Sequence, residues 1–472
     1  MSKGTRYDYA IVGGGPTGLT LAYYLSREGK RCIVLEREEV LGGCHRVQRV
    51  NGGVSAEQST RAHGVWTEHG PRIYVGAYAN FERLLQEMGT SWDELFTPYN
   101  YQIADLVRQG TSAFSTRELL ALATAFAQLP FNGEHLKKQT VLEFARAQRM
   151  SARAIDSLDR SCRMTDGAGA DRYTMYEFLQ LVNQNSLYKI YQPRFPNDVA
   201  LFSLWRSALE KQCVEIETSA HVTGISREID ASDFCWQVQT KERAIRAQNC
   251  VLAIPPSAAA KLLPRLEAFA RASQYIPYLC VSYHWDSRVE IANVWGTPKG
   301  AWKVAFIVQS DYTDFAHPDS RTVITAAATD LDAISEFTGK SANQSNADEV
   351  KAEILREIES AIGALPPLTL AIISPTVYFQ NGWRNTDESF VLTPAGYLGA
   401  FEMLPRLYSV GPHNGYSPYE FNSLESAVSN AIVFLNEHAS ARIPLLEAWT
   451  VYQMLARVFL VVLLVSLWLK FR

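Results

Sequence analysis

The chain has 472 residues, with 45 lysines and arginines against 49 aspartates and glutamates and a formal net charge of −4. Hydrophobic residues make up 47% and charged residues 20%; this balance excludes a disordered chain, points to two or three packed units, and offers nucleic acid no basic surface. Seven cysteines without a C-x-x-C pair and nine histidines without H-E-x-x-H exclude a disulfide framework and a recognisable metal site, and suit a reducing compartment.

The N-terminal stretch runs directly into a strand, "YDYAIVGG", leaving no room for a signal peptide. Gly13, Gly15 and Gly18 follow, then a helix in "LTLAYYLSREGK" and a second strand, "RCIVLE", that ends on Glu36. Each part has a physical task in holding a dinucleotide. Gly13 permits a tight turn, Gly15 lets the backbone approach a pyrophosphate, and Gly18 allows close helix–strand packing. The positive helix N-terminus favours the anion, and Glu36 stands where an acid binds ribose hydroxyls. The turn alone accepts a nicotinamide cofactor or a flavin. The choice is made just beyond it, where "EREEVLGG" places Gly42 and Gly43 to let the chain pass a pyrophosphate from its second side.

Further along, "WTEHGPRIY" carries a Gly70-Pro71 turn, and residues 77–203 read as mainly helical. "VEIETSAHVTGIS" and "FCWQVQT" read as a strand pair, leading into "CVLAIPPSAAAKLLP". Strands such as "YLCVSYHW" and "KVAFIVQ" follow. The helix "NADEVKAEILREIESAIGAL" opens with Asn346 and Glu349 as a capping box, and Val350, Ile354, Ile358 and Ile362 share a face. "RLYSVGPHNGYSPYEFNSLESAVSNAIVFLNE" reads as a strand ending in Gly411 and a helix beginning near Glu425. The last segment, "RVFLVVLLVSLWLKFR", is apolar from Val458 to Leu469 and closes on Lys470 and Arg472. Counted back to Trp449 it is long enough to span a bilayer.

Taken together and in this order, the blocks resemble the flavin-dependent amine oxidase superfamily, which includes protoporphyrinogen oxidases, phytoene desaturases and monoamine and polyamine oxidases. The resemblance implies a resident FAD, no metal, and an α/β fold. In it a discontinuous Rossmann-like FAD-binding domain (1–76, 204–263 and 401–440) carries an inserted α+β substrate domain (77–203 helical, 264–400 sheet-containing), followed by a C-terminal hydrophobic helix (445–472). It places on the cofactor Gly13, Gly15, Gly18, Glu36 with Arg37, Gly42, Gly43, Arg46, Gly70, Pro71, Arg72, Val222, Gly411, Glu425 and Ala427.

Three departures from the family pattern bear on chemistry. Cys44 stands where an arginine commonly follows the paired glycines, leaving His45 or Arg46 to serve the phosphate. Tyr278 takes the place of the amine oxidases' lysine, and Asn422-Ser423 that of their Gly-Tyr cage wall. Tyr416, Tyr419, Trp383, His413 and Asn414 are candidate pocket-wall residues. The losses favour an oxidoreductase that removes hydride from a C–H bond of a large, partly apolar substrate, as protoporphyrinogen oxidases and desaturases do, over an amine or polyamine oxidase or a redox-neutral mutase or isomerase. The partners expected are a lipophilic small molecule and a membrane reached through the tail, with the catalytic body on the cytoplasmic side.

Overall fold

The computed structural model describes residues 6–49, 65–99, 112–230, 233–291, 295–309, 321–386, 391–392, 396–420 and 422–470. The strand Arg6–Val12 is buried on both faces and pairs in parallel with Cys32–Leu35 on one side and Ala244–Leu252 on the other. Glu215–Glu217 extends the parallel set beyond Cys32–Leu35, and Leu407–Ser409 extends it beyond Ala244–Leu252. Strands that lie inside such a sheet read as continuous apolar runs, as "CIVL" does here. An antiparallel hairpin, Val222–Asp230 with Asp233–Thr240, grows from Ala244–Leu252, and Glu402–Leu404 adds an antiparallel edge.

Alternation along the central strand divides the core. Tyr9 and Ile11 face the helices Pro16–Arg27, Leu201–Lys211 and Leu424–His438. Ala10 and Val12 face Val222, Trp236 and Val238 of the hairpin. A division of the chain at 203 falls inside the helix Leu201–Lys211, whose Phe202 and Trp205 are buried against the first helix and under the Gly42 turn.

The second sheet is wholly antiparallel, in the order Trp295–Gly296, Ala305–Val308, Val323–Ala328, Leu279–His284, Leu370–Ile373. The helix Ala347–Ile362 packs Val350, Ile354 and Ile358 into the core, and Asn346 and Glu349 form the capping box. Ile362 lies at the rim of the same core. The 77–203 stretch holds the helices Thr116–Leu136, Val141–Ala147, Ala152–Asp166 and Met175–Asn185. It also supplies two strands, Phe96–Pro98 and Ile190–Pro193, that join Tyr74–Val75 in a small sheet.

The C-terminal segment departs from the simplest expectation of an anchor starting near residue 445. Its helix spans Val451–Lys470, while residues 439–450 are irregular and bound to the body. Asn436 exchanges hydrogen bonds with Ile443 (2.8 and 2.9 Å), and Asn80 does so with Leu446 (both 2.8 Å). From Met454 onward the helix is exposed on every side.

Candidate active site

Two helix N-termini converge on one cavity of about 310 Å³. Gly15, Pro16 and Thr17 open the first helix there, and Ser423, Leu424, Ser426 and Ala427 open the last one. Unsatisfied N–H groups and the aligned backbone dipoles make such an end attractive to phosphate and to electron-rich oxygen. The glycine turns explain how the site is shaped. Gly13 has φ 111°, and a Cβ there would sit 2.5 Å from the Ala253 carbonyl oxygen; at Gly18 a Cβ would strike the Gly13 carbonyl. Gly43, at φ 55°, brings its backbone so close to Gly15 that an added Cβ would lie 3.1 Å from the Gly15 Cα. Gly42 donates to the Gly14 carbonyl at 2.9 Å, tying the two turns together.

Glu36 is buried at the end of its strand, accepting from the backbone N–H of Gly14 (2.7 Å) and of Glu38 (2.9 Å). Burial raises its pKa, and these two donors oppose the rise. Its carboxylate therefore fixes the turn as well as standing at its edge. Arg37, beside it, is exposed and paired with Glu38 at 2.7 Å. Val222 is packed in the core of the hairpin face.

Among the fifteen residues that the family pattern places on the cofactor, Gly15, Gly43, Pro71, Arg72, Gly411 and Ala427 line the cavity. Gly13, Gly18 and Gly42 lie behind its wall and shape it. Gly70 lies under the Tyr278 ring, 3.4 Å from where its Cβ would be. Glu425 has another task. Its carboxylate accepts from the backbone N–H of Asn80 (3.1 Å) and Phe81 (2.9 Å) and from the Asn80 side chain (2.6 Å). It thus caps the helix Ala79–Glu87 from outside, because those first-turn donors have no partner within their own helix.

The structure separates the cationic candidates near Cys44. Arg46 is buried but turned onto its own turn, donating to the Gly43 carbonyl at 2.8 Å, and does not line the cavity. His45 lines it, but burial and the nearby Arg72 hold its pKa well below 6.5, so it is neutral. Arg72 also lines the cavity, and its Nε and Nη2 have no hydrogen-bond partner among the described residues. Burial opposes its charge, yet Cys44, Glu68, Tyr74 and Tyr278 outweigh that and raise its pKa. Beside it Glu68 is buried, accepts from Gln309 at 3.3 Å, and is lifted by burial to about 7, against the pull of Arg72. A buried cation with unused donors, facing a cavity between two glycine turns, fits a polyanionic cofactor.

The rest of the wall was only partly legible. Ala253, Ile254, Pro255 and Pro256 line the cavity, so the A-x-P-P block is a wall as well as a family mark. Tyr419 lines it, donating to Asn185 Oδ1 at 2.5 Å, whereas Tyr416 is exposed and packs on Phe401. His413 lines it in neutral form, its pKa lowered by burial to about 4. Asn414 accepts from Gly411 N at 2.8 Å, and Trp383 donates to Ala342 O at 3.0 Å, so both hold loops. Glu177, Leu181 and Asn185, spaced by four on the helix Met175–Asn185, were not foreseen. Their only sequence signal was an ordinary helical period.

The comparisons agree with this geometry. A family model described as FAD dependent oxidoreductase matches residues 8–417. The chain belongs to that family. It is an FAD-dependent oxidoreductase, and FAD is its cofactor. A putrescine oxidase solved with putrescine bound superposes with a TM-score of 0.62 at 14% identity, covering 93% of this chain and 100% of that one. A putative protoporphyrinogen oxidase from Exiguobacterium sp. 255-15 gives 0.61 at 18%, covering 92% and 98%. Cyclohexylamine oxidase from Brevibacterium oxydans IH-35A gives 0.60 at 14%, covering 92% and 99%. At such identities these structures show the shared fold. The 15-cis-phytoene desaturase of Narcissus pseudonarcissus is 35% identical over 82 residues, 17% of this chain and 12% of that protein. The matched stretch is thus a small fraction of the relative's length.

Proposed function

We propose that this flavoenzyme removes hydride from a C–H bond of a large, partly apolar substrate, in the manner of a protoporphyrinogen oxidase or a desaturase. The observation that carries the reading is Tyr278. It is buried over Gly70, at the position that the sequence resemblance gives to the amine oxidases' lysine, and no lysine lines the cavity among the described residues. FAD when bound supplies the electron-pair acceptor; the chain supplies binding, orientation and electrostatics. Gly15 and Gly43 provide backbone approach to the pyrophosphate, and Glu36 the ribose acceptor. Arg72 contributes the buried positive charge, and the helix N-termini at Thr17 and Ser426 the partial charges. Ile254, Pro255, Pro256, Ile307 and Leu181 give the substrate an apolar wall that excludes water.

The exposed apolar helix Val451–Lys470 supports a membrane anchor: at 20 residues and about 1.5 Å each it matches a hydrocarbon core of roughly 30 Å. A pocket held beside a bilayer suits a substrate that partitions there. All seven cysteines are free, which suits a body on the reducing, cytoplasmic side.

A second reading, amine or polyamine oxidase, has one observation in its favour. Glu177 and Glu420 both line the cavity and would attract a cationic substrate. Anaerobic mixing of the purified enzyme with porphyrinogens, polyprenoid hydrocarbons, benzylamine and spermine separates the two. Bleaching of the flavin band by the first two classes alone supports the proposal, and rapid bleaching by the amines replaces it with the second reading.

A further inference from the structure

The helix Thr116–Leu136 has a face that none of the described residues covers. Between Glu118 and Glu134 it carries no charged residue. Its inner residues Ala125, Leu129 and Leu136 are buried in a helical core. Its outer residues Leu120, Ala123, Ala127 and Phe131 are exposed, Leu120 at 66% and Phe131 at 90%. Pro130 and the non-helical Asn132 kink the helix at this end, so that Phe131 stands out from the body. Single exposed apolar residues need no explanation, but an uncharged row at helical spacing marks an interaction surface.

The place of this face in the fold identifies its occupant. Phe126 of the same helix stacks on Tyr452, with ring centres 4.8 Å apart and planes at 12°. Tyr452 lies in the first turn of the helix Val451–Lys470, and its backbone N–H donates to Asn183 Oδ1 at 3.2 Å. The long apolar helix therefore leaves the body directly beside the uncharged face. Arg117 at one end of that face and Lys138 at the other are exposed cations, suited to a layer of lipid phosphates, while Lys137 is paired with Glu134 at 2.9 Å.

We propose that the outer face of Thr116–Leu136 is a second membrane contact, lying flat in the interface of the bilayer that receives the tail helix; this rests on the anchor reading above. Amphipathic helices bind in this way by burying their apolar side at the headgroup boundary. The consequence for the site is direct. The helix Met175–Asn185 has Tyr176 and Asn183 on the side of the tail and Glu177, Leu181 and Asn185 on the cavity wall. The helix Met175–Asn185, packed against Thr116–Leu136, is thus the partition between the side of the tail and the cavity. Tyr176 closes that partition by donating to Glu420 Oε1 at 3.0 Å.

The test uses the full chain with FAD, in vesicles of phosphatidylcholine and phosphatidylglycerol. Phe131→Cys and Lys241→Cys are made in a Cys213→Ser background, since Cys213 is the exposed native thiol, and each is labelled with bimane. Both positions are exposed, so flavin content reports that the fold is kept. The proposal expects the label at 131 to shift to the blue and lose most of its emission to lipids brominated near the headgroup. The label at 241 should answer only to aqueous iodide. If the chain floats with the vesicles but position 131 behaves like position 241, this contact is refuted and the anchor stands. If the full chain does not float with vesicles at all, the anchor reading fails and the second contact falls with it.

Discussion

Replacing Arg72 by glutamine should loosen FAD by much more than it destabilises the cofactor-free protein. The two effects have different origins. In the free protein the guanidinium is buried, and its Nε and Nη2 lack partners among the described residues. Burial opposes that charge, but Cys44, Glu68, Tyr74 and Tyr278 outweigh it, so the folded protein holds the cation favourably and losing it costs the apoprotein some stability. Glu68, already lifted to about 7 by burial, limits that cost by holding its proton when its cationic neighbour is gone. With FAD bound the charge acquires a partner. A hydrogen bond to a charged group is worth about 1.5–3 kcal/mol, so the variant should lose about 3 kcal/mol of affinity, roughly 100-fold in Kd. The assay is titration of apoprotein with FAD by quenching of flavin fluorescence, with thermal unfolding measured with and without cofactor. A Kd within about twofold of the wild type, together with a lower apoprotein Tm, would show that Arg72 serves the fold and not the cofactor.

Gly15→Val should give a folded but colourless protein, because its side chain enters the gap where Gly15 and Gly43 meet, seen by loss of the flavin absorbance at unchanged far-ultraviolet dichroism. Glu425→Ala leaves the buried N–H groups of Asn80 and Phe81 unpaired and should destabilise the protein by about 3 kcal/mol in urea unfolding, with FAD affinity per folded molecule little changed. Glu68→Gln should alter the dependence of stability on pH. A carboxyl raised from 4.5 to about 7 in the folded state binds its proton more tightly there than in the unfolded chain, so its contribution declines as pH rises between those values. The decline amounts to about 3 kcal/mol, and the variant should gain by that much on the wild type between about pH 5 and pH 8; parallel unfolding curves at both pH values would contradict the assignment.

What the sequence by itself determined is local chemistry that repeats wherever it occurs. A strand, three spaced glycines, a helix and an acid define a dinucleotide turn, because only glycine accepts the backbone at Gly13 and the close contacts at Gly18. Gly42 and Gly43 could be read in the same way, as could the capping box of Asn346 and Glu349 and the apolar run of the tail. Tertiary structure decided every role that depends on what lies opposite. Glu425 was legible as the first-turn acid of an FAD-facing helix, yet Asn80, 345 positions away, claims its carboxylate. Arg72 and Cys44 are 28 residues apart in the sequence, so nothing local relates the missing arginine to the one whose charge takes up the same neighbourhood. Glu177, Leu181 and Asn185 carry an unremarkable helical period, and Phe131 is one phenylalanine among 21. Spacing records which residues share a face of their own element; what that face meets is set by contacts between distant segments, and those exist only once the chain has folded.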